Sequence, residues 1–164
     1  MKNAKAFNFL FIKDIYEISS IIYNEFMESI ITLLTPKKVT FYLNINSTIR
    51  QALEKFDAHR FTVVPLIDDE GKYCGTLSEG DLLRYIKHSA SFNLKKLENV
   101  TISEIEHYRP YQALKIDASM LDVFALSQEQ NFIPVTDDND IFIGIIKRKE
   151  VIKKLFDDFS NKDK

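Results

Sequence analysis

Cysteine is almost missing from this chain: Cys74 is the single one in 164 residues. One thiol cannot close an internal disulfide, so no covalent staple is expected. The three histidines, His59, His88 and His107, lie far apart and share no metal-ligand spacing. A metal site needs three or four converging ligands, so none is expected here. An excess of charge of one sign is also lacking. With 22 basic and 24 acidic residues the net charge is −2, which gives no global attraction to nucleic acid or anionic lipid. Long apolar runs are absent as well. The run from Phe7 to Ile12 ends at Lys13 and Asp14, too short for a signal-peptide core or a membrane span. A cytoplasmic location is the expectation, with no membrane and no nucleic-acid partner. Finally, there is no Gly-rich phosphate loop with a lysine, no nucleophile–base pair at recognisable spacing and no paired carboxylates. The chain does not read as an enzyme, and no cofactor is expected.

What is present is enough to fold. Hydrophobic residues make up 45% and charged residues 28%, which suits one compact domain or two half-domains sharing a core. Residues 1–34 read as a helical extension. Phe11, Ile15, Ile18, Ile22 and Phe26 recur at three- and four-residue steps, while Lys13, Asp14, Glu17 and Glu25 fall on other faces. The acidic polar face argues against a membrane surface, so the stripe is expected to pack on the body of the protein or on a second subunit. Met27 begins a stretch that runs smoothly into the rest.

The remainder contains an internal repeat. With a shift of 69, Pro65 falls on Pro134, Asp68 on Asp137, Tyr73 on Phe142, Gly75 on Gly144 and Leu82 on Val151. Upstream the shift becomes 71, placing Leu43 on Leu114, Ile45 on Ile116 and Leu53 on Phe124. Each copy has a short strand (Val39 to Ile45, Tyr111 to Ile116) and then a polar cap, Ser47 in one and Asp117 or Ser119 in the other. An amphipathic helix follows. Next come an apolar strand with its proline, an acidic turn (Asp68-Asp69-Glu70-Gly71, Asp137-Asp138-Asn139-Asp140), a third strand to Leu77 or Ile146, and a helix from near Glu79 or Arg148. The expected fold is α+β: β-α-β-β-α twice, with pseudo-twofold symmetry. The first repeat is placed at 35–88, a connecting segment at 89–110 and the second repeat at 111–159. Val100, Ile102 and Ile105 suggest a short helix in the connection. Each half alone would bury little, and pairing lets them cover each other's sheets.

These residues resemble the CBS-domain pair, or Bateman module. The apolar-Pro strand, acidic turn and Gly75-x-x-Ser78-x-x-Asp81 ending carry the likeness in the first copy. Asn131-Phe132-Ile133-Pro134-Val135-Thr136-Asp137-Asp138 and Phe142-Ile143-Gly144 carry it in the second. It covers roughly residues 30 to 157 and is closest to bacterial stand-alone pairs. The resemblance implies a regulatory module that binds an adenosine-containing nucleotide between the repeats and alters a partner interaction. AMP, ADP, ATP, S-adenosylmethionine and cyclic di-AMP are the candidates. It implies a homodimer and an unidentified protein target. Gly75, Ser78 and Asp81 are expected to face Tyr111, Gln112, Asn131, Phe132 and Ile133. Ser78 and the following N–H groups would hold phosphate, and Asp81 would accept a ribose diol.

A second site would set Lys147, Arg148 and Glu150 opposite Val39, Phe41, Phe61, Thr62 and Val63. There Lys147 stands at the Ser/Thr position and Glu150 at the Asp position. Phe41 is a candidate to fill the adenine space. A nucleotide site, an anion-only site and an empty cleft all remain open. Plainer readings stand beside these. Ser78 and Asp81 make an ordinary helix cap, Pro65 and Pro134 fix strand geometry, and the lysines are a solvated helix start. A ligand-free scaffold module is the alternative function.

Overall fold

The computed structural model describes residues 30–89, 96–106 and 110–162. The expected leading helix lies, up to residue 29, outside the described residues, as does His107. Among the described residues, Ile30–Leu33 form a 3-10 turn rather than a continuing helix, and β1 (Leu34–Pro36) follows. The first repeat contributes β2 (Leu43–Asn44), α1 (Ile49–His59), β3 (Val63–Ile67), β4 (Tyr73–Ser78) and α2 (Glu79–His88). The second contributes β5 (Leu114–Lys115), α3 (Met120–Glu129), β6 (Phe132–Thr136), β7 (Phe142–Lys147) and α4 (Arg148–Lys162). No helix among the described residues is long and apolar enough to cross a membrane.

The two sheets run β2-β3-β4 and β1-β7-β6-β5. In each, a parallel pair (β2 with β3, β5 with β6) is followed by an antiparallel one. The antiparallel pairs carry the same irregularity: the register skips Cys74 after Leu66 and Ile143 after Val135. One extra residue at matching points twists both hairpins alike. The added strand β1 pairs antiparallel with β7 and carries Ile30, fully buried, into the second core beside Met120, Val123, Ile133 and Val151. Burying one such side chain stabilises by about 1.5–3 kcal/mol.

The pseudo-twofold relation shows in single hydrogen bonds. Tyr73 N donates to Asp140 O (3.0 Å), and Phe142 N donates to Gly71 O (2.9 Å). Each bond is the other's mate under the repeat register. Gly71 and Asp140 both hold positive φ, 85° and 65°, so the same left-handed turn is made once with glycine and once with aspartate, one of the few other residues that enter this region readily. Ile67, Phe132, Phe142 and Ile145 form a third buried cluster, with Val63, Tyr73 and Tyr111 against it. It joins the two halves.

Local details differ from the sequence expectation for physical reasons. The first strand of each repeat shrinks to two residues. In the second, Tyr111 N and Gln112 N donate to side chains, Thr76 Oγ1 (3.0 Å) and Gln130 Oε1 (2.7 Å), instead of to a neighbouring strand. In the first, Lys37–Val39 coil into a 3-10 turn. The cap of α1 is Thr48, not Ser47: its hydroxyl accepts from Gln51 N while Thr48 N donates to Gln51 Oε1, the T-x-x-Q box. Ser119 plays that part for α3 with Asp122. The connection contains a 3-10 turn, Ile102–Glu104.

Candidate functional site

Every helix must satisfy its first N–H groups, and this sets where Ser78 and Asp81 point. Ser78 caps α2. The Asp81 carboxylate accepts from Ser78 N (2.9 Å), Ser78 Oγ (2.6 Å) and Arg84 Nη2 (2.7 Å), and Asp81 is only 5% exposed. It borders a smaller pocket of about 280 Å³ with Arg84, Tyr85, His88 and Glu106.

The other residues of the first expected set lie elsewhere. Gly75, at φ +127°, is buried against Pro110. Tyr111 packs its ring against Phe132 at a tilt of 58°, ring centres 5.0 Å apart, and its carbonyl accepts from Tyr73 Oη at 2.6 Å. Burial pushes the Tyr73 phenol well above its usual range, so it stays a donor at any physiological pH. Gln112 exchanges bonds with Gln130. Ile133 points into the second core. The structure thus gathers Gly75, Tyr111 and Phe132, holds Gln112 at Gln130, and keeps Ser78 and Asp81 as a cap.

The expected second set is brought together more fully. A cavity of about 400 Å³ opens between the repeats. Val39, Phe41, Phe61, Val63 and Lys147 line it, joined by Asn131 and Phe132 from the first set. Phe41 does not fill it. Its ring leans on His59 (4.6 Å) and Phe61 (5.2 Å) and becomes a wall. Three expected residues are engaged differently: Thr62 O accepts from Glu79 N, Arg148 Nε donates to Gln130 O, and Glu150 pairs with Lys149 at 3.6 Å.

Lys149, part of the basic run 147–149 that the sequence offered for phosphate, lines the cavity too, while sequence reasoning missed Thr35, Thr40, Val64, Pro65 and Ile145. Thr40 was findable. Under the shift of 71 it is the mate of Tyr111, and Val63 is the mate of Phe132 under the shift of 69. On one side of the pseudo-twofold two rings pack together; on the other, Thr and Val leave the same space open. The Thr40 hydroxyl turns away, donating to Thr35 O and Pro36 O.

The open side has a definite chemistry. One wall is aromatic and aliphatic. Lys147 and Lys149 line the cavity as well, at the first turn of the fifteen-residue helix α4, and no acidic side chain is among the lining residues. Two ammonium groups and the positive end of a helix favour an anion. The volume falls in the range of small-molecule sites, which run to about 300–1,000 Å³. A flat apolar ring with an attached anion fits both halves.

Comparison with known proteins follows the same line. Cyclic di-AMP receptor B of Bacillus subtilis (strain 168) is 21% identical over 114 residues, 70% of this chain and 77% of that relative. The crystal structure of CbpB in complex with c-di-AMP matches with a TM-score of 0.76 at 21% identity, over 90% of this chain and 99% of that one. CBSX2 in complex with AMP matches at 0.61 and 20%, over 79% and 96%. The family model described as CBS domain matches residues 31–88 and 102–157, and the chain belongs to the CBS-domain family as a pair of CBS repeats.

Proposed function

We propose that this chain is a regulatory nucleotide sensor. It binds an adenosine-containing ligand in the cavity between its repeats and so changes its affinity for a protein partner. The observation that carries this is the cavity itself, lined by Phe41 and Phe61 together with Lys147 and Lys149. The base lies along the aromatic wall, Asn131 and the backbone of Val63 read its edge, and the lysines hold phosphate. Relatives described with c-di-AMP and with AMP support the ligand class.

Among the candidates the lining favours cyclic di-AMP. A mononucleotide presents a free ribose diol, which needs an acceptor such as a carboxylate. Glu150 stands at the motif's acidic position but does not line the cavity. A 3′,5′-phosphodiester has no such diol, and it offers anionic oxygens to the lysines instead. Ser78 and Asp81 serve α2 rather than the ligand. The reading assigns no chemical step to the chain. It places the protein in the cytoplasm as a homodimer joined through the exposed apolar faces of α2 and α4, where Leu83, Ile152 and Phe156 are 67%, 59% and 71% exposed.

Thr40→Tyr tests the proposal, because the second repeat already accommodates a tyrosine at the matching position. Thermal melts with AMP, ADP, ATP, S-adenosylmethionine, cyclic di-AMP and guanine counterparts are the measurement. Ligand at a hundred times its dissociation constant adds about 2.7 kcal/mol of stability. The gain should occur with an adenine ligand and vanish in Thr40→Tyr. If no nucleotide raises the melting temperature, the ligand-free scaffold reading replaces this one. If the gain survives Thr40→Tyr, the ligand binds elsewhere.

A further inference from the structure

Gln130 is a polar residue only 6% exposed, and every polar group it carries is engaged. Its N–H donates to Leu126 O and so caps the end of α3. Its carbonyl accepts from Nε of Arg148, the first residue of α4, at 3.0 Å. Its carboxamide grips a single residue from two sides. Oε1 accepts from Gln112 N (2.7 Å), and Nε2 donates to Gln112 O (3.0 Å). Nε2 also reaches the carbonyl of Phe132, where β6 begins, at 3.4 Å. The side-chain amide thus does for the main chain of Gln112 what a neighbouring strand would do.

The repeat register gives this clasp a counterpart. The bond from Arg148 N to Asn131 O is the mate of the bond from Glu79 N to Thr62 O. One residue earlier, Gln130 is the mate of Phe61, and under the shift of 71 Gln112 is the mate of Phe41. The first repeat sets two rings at these positions, 5.2 Å apart, and both line the cavity. The second repeat uses the same pair of positions for an amide clasp. Gln130 itself does not line the cavity. Asn131 and Phe132, next to it in the chain, do, and so do Lys147 and Lys149, on either side of Arg148.

We infer that Gln130 is the positioning residue of the nucleotide site: by holding Gln112 and Arg148 at once, it fixes where Asn131 and Phe132 meet the base relative to where the lysines meet phosphate. This rests on the cavity being that site. The turn 130–132 cannot slide along the cavity without breaking bonds to β5's entry segment on one side and to α4 on the other. A buried amide that loses its partners has no water to replace them, so the clasp holds as a unit. Only the main chain of Gln112 is gripped, so the side chain at 112 is free to vary while the one at 130 is not.

Two measurements on the full chain test this: amide exchange by NMR without ligand, and calorimetric titration with cyclic di-AMP and its guanine counterpart. Gln130→Met keeps the length of the side chain and removes the amide. It should speed exchange of the Gln112 N–H about tenfold, and the preference for cyclic di-AMP over the guanine ligand should fall about tenfold, the worth of one misplaced hydrogen bond. A general loss of stability weakens both ligands alike and leaves that preference unchanged, so the ratio reports positioning. Gln112→Ala should keep the preference. Should Gln130→Met fail to fold, Gln130→Glu takes its place: it keeps the acceptor for Gln112 N, loses the donor, and its charge acts on both ligands alike. An unchanged preference, unchanged exchange at Gln112, or an equal loss of preference in Gln112→Ala overturns the positioning role alone. A wild type that binds neither nucleotide overturns the reading of the cavity and this inference with it.

Discussion

Gly144→Ala is the sharpest stability test, because its control is built into the repeat. A Cβ at Gly144 would sit 2.3 Å from Thr35 O, 3.1 Å from Leu34 Cδ1 and 3.1 Å from Pro36 Cα. Carbon and carbonyl oxygen settle no closer than about 3.3 Å, so β1 must retreat by about 1 Å. β1 has only three paired residues, Leu34 with Ile146, Thr35 with Ile145 and Pro36 with Gly144. It cannot retreat and keep its ladder. Each hydrogen bond lost costs about 0.5–1.5 kcal/mol, and loosening Ile30 from the second core adds part of about 1.5–3 kcal/mol. The expected total is about 2–4 kcal/mol. Gly75→Ala is the control. It is the repeat mate, also at positive φ (+127°), but its Cβ would meet Pro110 Cβ at an ordinary 3.4 Å. Only backbone strain remains there, about 1–2 kcal/mol. Urea unfolding without ligand gives both values from midpoints at constant slope. Equal losses in the two variants, within about 0.5 kcal/mol, refute the claim that β1 is pinned by close backbone approach.

Tyr111→Thr should open the mate of the main cavity. It loses the tilted ring contact with Phe132, worth about 0.5–1.5 kcal/mol beyond area, and calorimetric titration should show a second, weaker nucleotide event per chain. Asp81→Ala should cost about 1–2 kcal/mol through the lost cap while changing the nucleotide dissociation constant less than threefold. A large affinity loss would return Asp81 to the ligand site. The acid limb of stability follows from three carboxylates held below their usual range: Asp140 by Lys115, Asp122 by Ser119 and Glu104 by Thr101. A depressed native pKa gives stability that is complete above the unfolded value, about 4, and is lost as pH falls through the native one. Melting temperature should be flat from pH 7 to about 5 and fall below about 4. Lys115→Met should make that fall shallower in a calorimetric pH series.

The repeat was legible because its punctuation recurs: proline in mid-strand, an acidic turn, and glycine ten residues after the proline in both copies. Those residues answer to local backbone demands, so they mark themselves in the sequence. The short first strands were not legible. Tyr111 and Gln112 find their partners in Thr76 and Gln130, which no local pattern announces. Ser78 and Asp81 were ambiguous in principle, since one spacing serves a capping box and a ligand motif alike. The cavity turned on the sizes of Thr40 and Tyr111, visible once the copies are aligned. Which of the two faces open space depends on how the halves pack.

Thr40 and Tyr111 also bear on the shape of a dose–response curve. A duplicated unit with two equal crevices would let one chain titrate in two steps, with a threshold set by their coupling. On the proposed reading Tyr111 and Phe132 take up the space that Thr40 and Val63 leave open in the other crevice, so a single chain would take up one ligand. Its saturation curve would then be hyperbolic, and steepness in the response would have to arise between chains.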